Sequence, residues 1–174
     1  QAIEAPDDHA KDAKAESRDG PGLMAVPELR FDGDPVLRVA ADPVAAFDAD
    51  LAVLISDMFK TMYAALGRGL AAPQVGVSSR VFVTDVSWKD GARTPIPFVN
   101  PEIMEQAQDT AVGTEACLSI PDRTFDVARP IWVDARWQDA DGVTREARFD
   151  GPQAICVCHE LDHLNGVLIT DHGA

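Results

Sequence analysis

The stretch "CVCHELDHLNG", residues 156–166, sets His159 and His163 four positions apart, with Glu160 directly after the first. On an α-helix positions i and i+4 share a face, so both imidazoles can turn toward one ion while Glu160 stands beside it. The same spacing also suits two histidines on a polar helix surface. The first condition is that a helix forms, and the flanks support one. Asp150 stands where an N-cap belongs, Pro152 falls in the first turn, and Gly166 is placed to end the run QAICVCHELDHLN.

Working outward, "IWVDARW" at 131–137 alternates Ile131, Val133, Ala135 and Trp137 on one face, as a half-buried strand does. It is followed by "VTREARF" at 143–149. The intervening "QDADG" suits a hairpin turn and predicts antiparallel pairing. "RVFVTDV" at 80–86, rich in β-branched and aromatic side chains, predicts another strand. In "FDADLAVLISDMFKTMYAALG", residues 47–67, Leu51, Leu54, Ile55, Met58 and Met62 recur at helical spacing, with Asp48 or Asp50 as N-cap. The order helix, strands, helix predicts an α+β fold and not a βαβ series.

A chain of 174 residues and 18.7 kDa fits one domain. No apolar run approaches the roughly 20 residues that a membrane helix needs. A net charge of -14 and a pI near 4.4 oppose direct nucleic-acid binding, which requires clustered Lys and Arg. Residues 1–22 carry six acids against three bases and almost no large apolar side chain, so they are expected to be disordered, leaving 23–174 as a single domain. They lack the apolar stretch of a secretory signal and the acid-poor composition of a transit peptide. Three cysteines, Cys117, Cys156 and Cys158, make no disulfide framework and suggest a reducing compartment.

The other two histidines, His9 and His172, lie near the chain ends. A catalytic metal site commonly takes three protein ligands and keeps a position open, so a third ligand is expected. The candidate is Cys117 in "EACLSIP", whose plainer reading is a small buried hydrophobe. A further segment, "GRGLAAPQVG" at 67–76, offers two glycines for close backbone approach and the amide of Gln74; its plainer reading is a loop leaving the long helix.

In this order the three segments resemble the motifs of the peptide deformylases, GxGLAAxQ, EGCLS and QHExDHLxG, over most of the chain from about Met24 to Asp171. The resemblance implies antiparallel β-sheets packed around a C-terminal metal-binding helix, with a long N-terminal helix. It implies a metallohydrolase that removes the formyl group from N-formylmethionyl nascent peptides and releases formate. Cys117, His159 and His163 would ligate one divalent ion, Fe2+ natively, with Zn2+, Ni2+ or Co2+ as replacements. Glu160 would act as general acid and base, with Gln74 and the backbone N–H of Leu118 as oxyanion donors. Substrate would lie along Arg68, Gly69 and Ala116, and its methionine would enter a pocket lined by Ile155, Cys156 and the face of His159. The location implied is the cytoplasm, with no membrane or nucleic-acid partner.

The chain departs from the motifs in three ways. Ala116 stands for glycine, and Cys158 for the glutamine before the first motif histidine. The chain also stops soon after Asp171, without the C-terminal extension that in some members serves ribosome contact. Ala116 can keep main-chain contacts to substrate if its φ is negative. Arg68 reads as a solvated arginine or as a contact for the second peptide residue. Cys158 reads as a helix-packing thiol, and Asp162 either orients a ligand or pairs with Arg129. Two other functions compete. HExxH alone suggests a zinc peptidase, whose downstream ligand could only be a folded-back His172. A deformylase-like protein that binds formyl peptides or metal without turnover is the second.

Overall fold

A computed structural model describes residues 27–173, so the expectation of disorder for 1–22 lies outside the described residues. Helix α1 (Ala49–Ala64) begins at Asp48, whose side chain accepts from Leu51 N at 3.0 Å. The short strand β1 (Gly69–Ala71) leads through a turn of 3-10 helix at Ala72–Val75 to β2 (Val81–Thr84) and β3 (Ile96–Gln106). A second hairpin, β4 (Thr110–Cys117) and β5 (Ile120–Pro130), precedes β6 (Trp132–Gln138), β7 (Thr144–Asp150) and helix α2 (Gly151–Leu164). All pairings among these seven strands are antiparallel. One sheet runs β1-β2-β3-β6-β7 and the other holds β4 and β5, which makes the α+β fold that the order of elements predicts.

The five-stranded sheet lies between the two helices, and the two-residue strand period sorts its side chains. Val81, Val83 and Val99 join the cluster of Leu51, Ile55, Met58 and Met62 from α1. Phe82, Phe98, Val133, Ala135 and Trp137 face Ala154, Val157 and Leu164 of α2. Phe82 stacks on Phe98 at 4.6 Å between centroids, and Trp137 packs tilted against Phe98 at 4.7 Å. A third cluster, Leu37, Cys117, Ile120, Val127, Leu168 and Ile169, fastens the β4–β5 hairpin to the rest. The hairpin turn between β6 and β7 is closed by Asp139, which accepts from Asp141 N and Val143 N.

Two local expectations need correction. Ile131 is not on the buried face; it lies before β6 and is 43% exposed. Asp150 holds the N-cap position of α2, yet its side chain makes no capping hydrogen bond. Gly166 ends that helix as expected, at φ 73°, a left-handed value that suits glycine. Among the described residues no helix is long and apolar enough to cross a membrane.

Candidate active site

Helix α2 delivers His159, Glu160 and His163, and the C-terminal end of β4 delivers Cys117 at an irregularity in its pairing with β5. One ligand atom from each of Cys117, His159 and His163 falls within a group spanning 4.8 Å. His163 Nε2 lies 3.4 Å from Cys117 Sγ, and the two imidazole rings sit 5.0 Å apart. Their burial rules out the polar helix surface that the spacing alone allowed: His159 is 8% exposed and His163 1%. His172 does fold back, but its Nε2 meets Asp162 Oδ2 at 2.8 Å and stays outside the cluster. Among the described residues, no ligand downstream of His163 joins the cluster as a zinc peptidase would need.

Behind the cluster runs a chain of charged hydrogen bonds. His159 Nδ1 meets Glu115 Oε1 at 2.9 Å, leaving Nε2 to face the cluster. Glu115 also takes two hydrogen bonds from Arg129, each 2.9 Å, and Arg129 Nη1 donates to Asp162 at 2.7 Å. Burial alone would raise the Glu115 carboxyl, but its bonds to His159 and Arg129 outweigh that and hold it at about 2. Burial would lower His159, while its hydrogen bonds to Cys117 and Glu115 draw it up to about 10. The same field that attracts a proton to His159 attracts a metal cation in its place. His163 is pushed down to about 3, by burial first and then by repulsion from His159 and Arg129, which favours the neutral imidazole that a metal requires.

The buried Arg129–Glu115 pair makes a stability prediction, since both side chains are only 6% exposed. Arg129→Met strands Glu115 without its partner and should lower unfolding free energy by about 3–5 kcal/mol. Adding Glu115→Gln should restore much of that loss in chemical denaturation. The sign with pH follows from the depressed carboxyl: its contribution is full above about 4.5 and drains away as pH falls toward 2. Acid titration of the Glu115→Gln protein should therefore show a shallower loss across that window.

In front of the cluster opens a cleft of about 680 Å³. It is lined by Arg68, Gly69, Gln74, Ala116, Cys117, Leu118, Ile155, Cys156, His159 and Glu160 among others, so every expected metal-ligating, catalytic and substrate-binding residue reaches it except His163, which lies behind. Glu160 is 4% exposed, and its Oε2 has no hydrogen-bond partner among the described residues. Burial pushes its carboxyl up to about 7, with His159 opposing the shift. Gln74 is held rigidly: Oε1 accepts from Ala71 N at 2.9 Å, and Nε2 reaches Ser119 Oγ at 3.0 Å and Cys117 Sγ at 3.7 Å. Gly69 must lack a side chain, because a Cβ there would stand 2.7 Å from both Cys156 Sγ and Glu160 Oε1.

The open questions from the sequence are answered by position. Ala116 is absent from the positive-φ residues and pairs with Thr124, so it carries no backbone strain. Arg68 is exposed and paired with Asp90 at 2.9 Å. Cys158 packs against the cluster under α2 as a structural thiol, and Asp162 does pair with Arg129. Sequence reasoning passed over Glu115 and Ser119, although both stand in the quoted segment around Cys117. It also passed over Lys89 and Arg123, which line the cleft without any motif to mark them.

An orphaned carboxylate oxygen, a thiol and two imidazole nitrogens converging in a buried pocket fit a divalent cation well. Comparison with known proteins agrees. Residues 26–174 match the family described as polypeptide deformylase. A peptide deformylase of Rhizorhabdus wittichii is 46% identical over 154 residues, covering 86% of this chain and 87% of the relative. The crystal structure of peptide deformylase from Thermotoga maritima superposes with a TM-score of 0.80 at 44% identity, over 84% of this chain and 97% of that one. A peptide deformylase from Synechococcus elongatus in complex with actinonin gives 0.82 at 41% identity, over 87% and 83%.

Proposed function

The chain belongs to the polypeptide deformylase family, metal-dependent hydrolases that remove the N-formyl group from nascent peptides, and we propose that its own residues divide that work as follows. Cys117, His159 and His163 hold a single divalent ion. Such an ion, when bound, lowers the pKa of water toward neutrality and polarises a carbonyl oxygen. One thiolate with two imidazoles suits iron, zinc, cobalt or nickel; Fe2+ is the native choice we infer, in a reducing cytoplasm that spares the thiolate.

Glu160 takes the proton of the attacking water at its unpartnered Oε2 as a C–O bond forms at the formyl carbon. When the C–N bond breaks, it returns that proton to the amine, leaving formate and a free N-terminus. A carboxyl pushed toward neutrality is suited to both transfers. Gln74 Nε2, fixed by Ser119 and Ala71, donates to the oxygen that gains charge, together with the backbone N–H of Leu118.

Among the described residues β1 is an edge strand of its sheet, and β4 pairs only with β5. Gly69 on one and Ala116 on the other both line the cleft, so an extended peptide can lie against these edges as an added strand. Its methionine then enters beside Ile155 and Cys156. The observation that carries this reading is the placement of Glu160, buried and unpartnered between the Cys117–His159–His163 cluster and the cleft.

The test is hydrolysis of formyl-Met-Ala-Ser by metal-replete protein prepared without oxygen, with formate and new amine measured together. One of each per peptide is expected. Tight peptide binding with no formate would instead establish a binding protein without turnover. Gln74→Ala should lower kcat by about a hundredfold or more at unchanged metal content, because a preorganised oxyanion donor is lost. A fall of less than threefold would remove Gln74 from that role.

A further inference from the structure

Among the described residues, every Lys and Arg reaches an acidic side chain within 4.0 Å except Arg80, Lys89, Arg93 and Arg123. Two of these four lie away from the cleft: Arg80 donates to Leu164 O and Asn165 Oδ1, each at 3.1 Å, and Arg93 lies 4.2 Å over the Tyr63 ring. The remaining two, Lys89 and Arg123, are exposed, and both line the active-site cleft. In a protein with 29 acids against 15 bases, two of the four described cations left without an acidic partner stand where substrate must pass.

They come from two different walls and each is braced. Lys89 sits in the loop between β2 and β3, which is tied to the β1 lip where Trp88 Nε1 donates to Gly67 O at 2.9 Å and Asp90 meets Arg68 at 2.9 Å. Its ammonium lies 5.7 Å from the Trp88 ring. Arg123 belongs to β5 and lies 4.8 Å over the Phe125 ring. These aromatic contacts position the charged heads without cancelling their charge, since a ring carries no net charge of its own. On the acidic side, Asp122 is the one exposed carboxylate among the described residues that lines the cleft. Asp90 is taken up by Arg68, Glu115 by Arg129 and His159, and Glu160 faces the centre.

We propose that Lys89 and Arg123 are specificity-determining residues that make this cleft prefer formyl-methionyl peptides carrying Asp or Glu at the second or third residue. The inference rests on the deformylase reading of the same site. Peptide beyond the methionine leaves the buried pocket and runs out between the β1 and β4 edges, so its next side chains meet these two walls. An exposed ion pair is worth up to about a fivefold factor in binding, and rim charges act mainly on the rate of encounter. Because both cations are exposed, the preference must fade with salt.

The experiment compares kcat/KM for formyl-Met-Glu-Glu, formyl-Met-Ala-Ala and formyl-Met-Lys-Lys at low salt and in 0.5 M NaCl, for the parent and a Lys89→Glu, Arg123→Glu double variant. The parent should favour Glu-Glu over Lys-Lys by about five- to tenfold at low salt, with the ratio falling below about twofold in high salt. The double variant should reverse the order while keeping Ala-Ala within about twofold of the parent, which shows that the catalytic machinery is intact. Equal rates for the acidic and basic peptides, or an order that survives the double substitution, overturns the proposal while leaving the deformylase reading in place. Absence of formate from all three peptides would overturn both.

Discussion

A Glu160→Gln protein is expected to keep one metal ion per chain and to lose at least about a hundredfold in formate release. The amide matches the carboxylate in size, so the pocket against Gly69 and Cys156 should close as before. What disappears is the ability to take a proton from water and return it to the amine. Stability should not fall, because the native carboxyl is buried and already displaced toward its neutral form. Melting temperature and metal content therefore serve as controls. A variant that released formate near the parental rate at equal metal content would show that the proton moves by another route.

His163→Ala is expected to abolish metal binding and activity together. His163 is 1% exposed and lies 3.4 Å from Cys117, at the back of the cluster, and does not itself line the cleft. Its effect on turnover must therefore pass through the ion. With two ligands left, retention after dialysis should be poor and formate release should fall to background. The lost side chain also leaves a void, so the comparison needs helix content by circular dichroism, which should stay near the parental value. A full equivalent of metal in folded His163→Ala protein would mean that the ligand set is wrong.

Much of the site was legible because it depends on local spacing. The i, i+4 histidines and Glu160 needed only a helix, and Asp48, Pro152 and Gly166 marked where the helices start and stop. The β6–β7 hairpin was legible from alternation and from a turn rich in Asp and Gly. Other parts were hidden for physical reasons. β3 contains Pro97 and Pro101, which argue against a strand; the chain accommodates them with Asn100 at φ 50° and a register shift between Val99 and Glu102. β4 and β5 are mostly exposed, so a two-stranded sheet with one solvated side shows little apolar pattern. Arg129 lies 14 residues from Glu115 in sequence, and nothing local announces that they meet across the hairpin. The bringing together of Cys117 with α2 was supplied by motif resemblance and not by periodicity.

The central claim, that one ion held by Cys117, His159 and His163 runs the reaction, is tested most directly by titrating metal-free protein with Fe2+ under anaerobic conditions while following formate release from formyl-Met-Ala-Ser. The rate should rise from background in proportion to added metal and level off at one equivalent per chain, with Cys117→Ala giving no such rise. Substantial formate release by the metal-free protein, or a plateau reached only at two equivalents, would contradict it.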